Sequence, residues 1–403
     1  MKQRADYTFK HNKKLGRHGW LRLTPAYSVK LVKELLPNIS QEAVILDPFS
    51  GTATTGLVAA EEGLSAQLFD INPFLVWFGN AKCKNYTQKE LEQLQNDLSN
   101  IVDDYENLIS EENWIPSIHN IERWWSEKTL RNLSALRQAI VRRFGEPKAD
   151  EIGNLIWIAF CRLVIETSSA AFNHVSMSFQ DKVSHYEIQQ IKKLFIEIVT
   201  TILETTLPTL SGTCLINQMD SRNAPKPNGT QYTYVITSPP YPNRISYIRE
   251  LRPYMYWTKF ISNARQAGEL DWEAIGGTWG IATSRLLDWA PGCMDLPNDL
   301  FIISDAIRQS DHKNARLMGQ YVLKYFHDMH THLSNLRKNL APRAKLMYIV
   351  GNSTFYGIQV HTEQLLSESL KKLGFINIDK TIIRKRNCKK ELFEFCVSAT
   401  WNM

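Results

Sequence analysis

One segment limits the fold before anything else is read. The apolar run 43–46 stops at Asp47-Pro48, a turn of small residues follows, residues 56–63 are helical in pattern, and a second short strand, 66–69, ends on Asp70. Strand, tight turn, helix and strand in that order open a βαβ unit, which builds a parallel sheet with helices on its faces. The chain is therefore α/β, and its ligand edge is the carboxyl end of the strands.

The rest of the sequence extends this pattern. Residues 27–36 have helical apolar spacing and end before Pro37. From about 86 to 208 the pattern is helical, with apolar residues three or four apart over 89–109, 121–143 and 151–165. Strands return at 214–216 and 232–237. An irregular stretch, 258–311, carries Gly276-Gly277, then a helix is expected over 321–339 and a strand over 344–350. A helix at 362–373, capped by Gly374, leads to two strands, 376–383 and 392–399, joined by a basic turn. The reading has seven strands, the last two forming a hairpin.

At 403 residues the chain holds two to three units of about 100–200 residues, or one core with large insertions. With 43% hydrophobic and 22% charged residues it is neither largely disordered nor a membrane protein. Its apolar runs fall far short of the roughly 20 residues a membrane span needs, and the charged start is no secretory signal, so a cytoplasmic location is expected. The six cysteines form no C-x-x-C pair and no zinc-type spacing, so no metal is expected. Cys161 and the pair Trp124-Trp125 read as core.

The net charge is only +6, yet residues 1–33 hold nine basic residues against the single acid Asp6. Charge alone leaves this arm equally a solvated terminus or a contact for nucleic-acid phosphates; within it Lys13, Lys14 and Arg17 are the candidate contacts.

Two motifs carry chemistry. In Asp47-Pro48-Phe49-Ser50-Gly51-Thr52-Ala53-Thr54-Thr55 small residues let backbone approach a ligand, helix N-terminal amides can hold an anion, and Asp70 stands where an acid takes ribose hydroxyls. In Ser238-Pro239-Pro240-Tyr241 two prolines end a strand in a rigid turn at the ligand edge. Tyr241 offers a face for a planar base, and Ser238 and the Pro239 carbonyl offer acceptors for an amino group.

Together these elements resemble S-adenosylmethionine-dependent DNA amino-methyltransferases, whose motifs read D-P-F-x-G-x-G-T-T and [DNS]-P-P-[YFW]. The likeness covers roughly 20–85, 210–255 and 320–400, and departs from the pattern at Ala53, where the family has glycine. It implies a class I methyltransferase, Rossmann-like seven-stranded sheet with a C-terminal β-hairpin and a largely helical insertion. Residues 1–85 would hold the basic arm and cofactor part of the core, 86–210 the insertion, and 211–257 the catalytic part. An irregular insertion would span 258–320, and 321–403 would complete the core; either insertion is a candidate for reading DNA.

The resemblance implies S-adenosyl-L-methionine as cofactor, bound by Asp47 through Thr52, Thr54, Thr55 and Asp70. Thr24 would touch its methionine part and Asp220 its adenine. Ser238, Pro239, Pro240 and Tyr241 would be catalytic, with serine in first place pointing to the N4 amino group of cytosine, flipped out of duplex DNA. Asn243, Arg244 and Tyr247 would clamp DNA. The partner implied is double-stranded DNA, and a cognate restriction endonuclease would act on the same site. An adenine-N6 enzyme, an RNA base-amino methyltransferase and an inactive nucleic-acid-binding subunit are the alternatives.

Overall fold

The computed structural model describes residues 4–22, 27–36, 39–148, 151–171, 178–207, 209–223, 231–278, 280–386 and 391–402. Thr24 lies outside them. The central sheet has seven strands: β1 (Val44–Asp47), β2 (Ser65–Asp70), β3 (Thr213–Gln218), β4 (Tyr232–Thr237), β5 (Leu340–Gly351), β6 (Phe375–Lys385) and β7 (Phe393–Trp401). Their order across the sheet is β6-β7-β5-β4-β1-β2-β3. The five from β3 to β5 are parallel, and β7 runs antiparallel to β5 and to β6. This is the α/β architecture with a C-terminal hairpin expected from the sequence.

The order fixes where a ligand goes. From β1 the chain winds outward to β2 and β3, then returns to β4 on the other side of β1. The carboxyl ends of β1 and β4 therefore flank the topological switch point, where an open α/β sheet has its crevice.

Between β2 and β3 the chain is helical, over Pro73–Cys83, Gln88–Leu108, Glu127–Phe144, Asn154–Glu166 and Ile188–Thr205. The last has a clear apolar face, with Ile191, Phe195, Ile198 and Ile202 buried, but the Pro73–Cys83 helix buries nearly every face, which erases the period. Its start is local chemistry, with Asn72 accepting from the Phe74 amide at 3.0 Å and Pro73 in the first turn. The insertion has its own core, built around Trp125, Trp157 and Phe160, and all of them are buried. That core closes on the helix Tyr247–Trp257, which follows the turn at 238–241. Trp257 meets Trp125 and Phe160 edge to face, and the Arg137 Nε donates to the Trp257 carbonyl at 2.7 Å. Trp124 and Cys161 are core as well.

The stretch expected to be irregular contains three helices, Ala264–Glu273, Ile281–Asp288 and Asn298–Arg308. Their short lengths and the glycines between them hide the pattern. No helix among the described residues is long and apolar enough to cross a membrane.

The basic N-terminal segment is not a free arm. It folds against the core, and Arg17 corrects the expectation most directly, being 5% exposed with its guanidinium donating to the Thr206, Lys82 and Lys84 carbonyls. A cation spent on buried carbonyls cannot reach a phosphate. Arg17→Ala orphans those acceptors and is expected to cost about 3 kcal/mol of stability, read from denaturant unfolding.

Candidate active site

The two motifs meet at the switch point. Asp47 ends β1 and Thr237 ends β4, and the Thr237 hydroxyl donates to Asp47 Oδ1 at 2.5 Å across 190 residues of sequence. Thr55 Oγ1 donates to the other carboxylate oxygen at 2.6 Å, and the Phe49 amide donates to Oδ1 at 3.1 Å. Burial pushes the Asp47 carboxyl up to about 6 against these three bonds.

Asp47 is fully buried, as are Thr54 and Thr55 within a per cent. These three, expected to touch cofactor, stand behind the turn instead. Their polar atoms shape it, and only the next layer faces the cavity.

That layer is Pro48, Phe49, Ser50, Gly51 and Thr52, on the wall of a cavity of about 740 Å³ that also takes in Asp70, Asp220 and residues 238–241. Gly51 adopts φ +50°, a left-handed backbone that glycine allows at little cost, and its amide donates to Asp70 Oδ2 at 2.8 Å. Ala53 follows the same path with φ +56°, so the turn keeps the glycine-like course despite its methyl. The strain, about 1–2 kcal/mol, is held by close packing, since Ala53 is fully buried.

Asp70 Oδ1 accepts from the Asn72 amide at 2.9 Å. Desolvation outweighs both amide bonds and pushes its carboxyl up to about 7. Asp220, on the cavity wall after β3, is ion-paired with Arg222 at 2.8 Å, and Arg222 reaches Asp328 as well.

Several supporting residues carry no sequence motif. Lys82, buried at the end of its helix, donates to the Thr52 carbonyl at 2.6 Å, with its pKa lowered to about 8 by desolvation. His332 is buried, packs edge-on to Phe49 at 4.9 Å, and bonds the Ser221 carbonyl at 2.8 Å and the Tyr348 hydroxyl at 2.7 Å. It carries one proton, donated to Ser221 and complemented by the Tyr348 O–H, and burial lowers its pKa to about 4. Neither position stands near its partners in sequence, so no spacing reveals them.

Across the cavity, Ser238 Oγ donates to the Ile349 carbonyl on β5 at 3.2 Å. With its proton committed there, the hydroxyl's lone pairs remain as acceptors. The Pro240 carbonyl is taken by the Tyr325 hydroxyl at 2.7 Å, which fixes the turn. Asn243 and Tyr247 line the cavity, with Asn243 Oδ1 capping the Ile245 amide at 3.2 Å and the Tyr247 hydroxyl accepting from the Tyr241 amide at 3.4 Å. Arg244, at φ +63°, is exposed and outside the cavity wall. Lys13 lies on that wall with Tyr7, Phe9 and Lys10, so the N-terminal segment forms one side of the cavity; Lys14 is exposed.

Beneath Tyr241 runs Gly351, where a Cβ would lie 2.8 Å from Tyr241 Cδ2 and would collide with Arg386. Gly351→Ala is expected to displace both side chains and lower turnover about tenfold, with the melting temperature reporting the accompanying strain.

Residues 29–145 match the family described as D12 class N6 adenine-specific DNA methyltransferase. Type II methyltransferase M.MvaI of Kocuria varians is 20% identical over 365 residues, 85% of this chain and 77% of that protein. Type II methyltransferase M.BsoBI of Geobacillus stearothermophilus is 25% identical over 270 residues, 60% of this chain and about half (52%) of that protein. Among solved structures, the rRNA methyltransferase aviRa of Streptomyces viridochromogenes aligns with 93% of this chain and 86% of its own, at 10% identity and a TM-score of 0.29. The sequence relatives are methyltransferases, and the family match supports methyl transfer on DNA.

Proposed function

We propose that this protein transfers a methyl group from S-adenosyl-L-methionine to the exocyclic N4 amino group of a cytosine flipped out of duplex DNA, as the modification partner of a restriction endonuclease. The observation that carries the reading is the single cavity shared by the two motifs, one suited to a cofactor and the other to an amino group.

The cofactor side fits its group. Gly51 leaves room for close approach, Asp70 is a carboxyl group on the cavity wall at the end of β2, and the buried Ser50 hydroxyl has no protein partner. Ser50, Gly51 and Thr52 would cradle the methionine end, Asp70 the ribose, and Phe49 and Asp220 the adenine. When bound, the cofactor supplies a methyl on a positively charged sulfur, electrophilic enough for a weak nucleophile.

The chain's own task is to make the amino nitrogen reactive. Its lone pair is delocalised into the ring. Ser238 Oγ and the Pro239 carbonyl accept its two N–H bonds and draw it toward tetrahedral geometry, while Tyr241 holds the base by stacking. As the amino nitrogen gains the methyl it gives up one of its own two protons, which leaves to solvent through the open cavity. Neither cysteine chemistry nor a covalent intermediate is required, in keeping with the buried Cys161.

A second reading, adenine N6, is favoured by the family match. That match, however, covers residues 29–145, the Asp47–Asp70 segment and the first part of the insertion, and ends before Ser238–Tyr241, the segment proposed to meet the base. Residues 86–210 and 258–320 are the proposed DNA-reading regions.

The test is incubation with labelled S-adenosylmethionine and plasmid DNA, followed by digestion to nucleosides. Label on N4-methylcytosine is expected. Label on N6-methyladenine establishes the second reading, label only on RNA removes DNA as substrate, and no label leaves a binding protein.

A further inference from the structure

The C-terminal hairpin enters the target side of the cavity with three charged side chains, and no step described above uses them. Glu394 lies on β7, opposite Gly351 on β5 and opposite Arg384 on β6. It is 4% exposed and lines the cavity. Its Oε1 accepts the Tyr241 phenol at 2.7 Å. Arg384 holds the same carboxylate from the other strand, through Nε to Oε2 at 2.6 Å and Nη2 to Oε1 at 3.2 Å. Arg386 stands over the Tyr241 ring, its Cζ 5.0 Å from the centroid, and is itself tied to the Asn352 carbonyl at 2.8 Å.

A two-pronged arginine–carboxylate contact has little freedom to rotate, so Glu394 is a rigid acceptor. A buried ion pair adds little net stability, because desolvating two charges offsets most of their attraction. What it does supply is direction. A tyrosine fixed only by its ring can swing about its side-chain torsions, whereas one whose hydroxyl is also pinned has its plane set before any base arrives.

We propose that Glu394, locked by Arg384, is a positioning residue that fixes the plane of Tyr241 as the platform for the extruded base. The inference rests on the reading of Tyr241 given under Proposed function. It assigns the final hairpin a part in the reaction beyond closing the sheet.

A double-mutant cycle between Glu394→Ala and Tyr241→Phe tests it, with kcat for plasmid methylation and KM for S-adenosylmethionine as readouts. Tyr241→Phe keeps the ring and loses only the hydroxyl, so it folds independently of what Glu394→Ala does. Each single variant is expected to lower kcat about tenfold, with the cofactor KM moving less than about twofold. The double variant should be no slower than either single. Glu394→Gln, whose amide oxygen still accepts the phenol proton, should keep most of the rate. Losses that multiply in the double variant, or a Tyr241→Phe variant at full rate, overturn the inference. A wild-type chain that methylates no DNA overturns the underlying reading and this inference with it, so the two failures are told apart by the wild-type control.

Discussion

Ser238→Ala is expected to lower the rate of methyl transfer to DNA about a hundredfold while leaving cofactor affinity nearly unchanged. The size follows from removing one preorganised polar group aimed at a reacting centre, typically worth 10²–10³ in turnover. The loss falls on kcat because in the proposed reaction the hydroxyl acts on the amino nitrogen and not on the cofactor's recognition groups. The substitution also orphans the Ile349 carbonyl, which now receives the Ser238 proton at 3.2 Å. Folding is therefore checked alongside, by thermal melting. Tyr241→Ala in parallel removes the stacking face, worth about 1–3 kcal/mol per base, and is expected to weaken DNA binding as well as turnover. Full activity in both variants would remove this turn from the reaction.

The second large effect is at Asp70. Its carboxyl is pushed up to about 7 by desolvation, so the group proposed to accept the ribose hydroxyls titrates near neutrality. Cofactor affinity is expected to be level above pH 8 and to fall as the pH drops through 7, approaching tenfold per unit, because protonation converts an acceptor pair into one donor and one acceptor. Asp70→Asn should bind cofactor about 10–100-fold more weakly at pH 8 and lose the pH dependence. Stability moves the other way. A carboxyl whose folded pKa lies above its unfolded value of 3.8 favours the folded state below that value, and the contribution disappears as pH rises through about 7. The melting temperature of the wild type should accordingly rise as pH is lowered from 8 toward 5 relative to Asp70→Asn. Cofactor titrations followed by calorimetry at several pH values check the first part. An affinity for Asp70→Asn that equals the wild type's would place the ribose elsewhere.

What could be read in advance depended on how local the cause was. The β1–turn–helix–β2 unit, Asp70 at its end and the rigid turn at 238–241 are all set by neighbours in sequence, through strand propensity, glycine and proline geometry and the ends of apolar runs. The helices 89–109 and 121–143 showed themselves because each has one wet and one dry face. Those at Pro73–Cys83 and Asn298–Arg308 did not, one being buried nearly all round and the other carrying exposed Phe301 and Ile302 beside its buried Leu300 and Ile307, which blurs the period.

The site divides along the same line. Sequence by itself determined the α/β class, the two motifs and the residues that face the cavity from them, since each of these follows from a contiguous segment. It had Arg17 as a phosphate contact and Asp47, Thr54 and Thr55 against the cofactor. Only the tertiary structure put these four behind the surface, because burial is a property of what packs on a residue and not of the residue's type. Tertiary structure alone also joined Lys82 to Thr52, His332 to Phe49 and Glu394 to Tyr241. Those partners come from strands and helices distant in the chain, and sheet order, with β7 set between β5 and β6, is what brings the hairpin's carboxylate to the turn at 238–241.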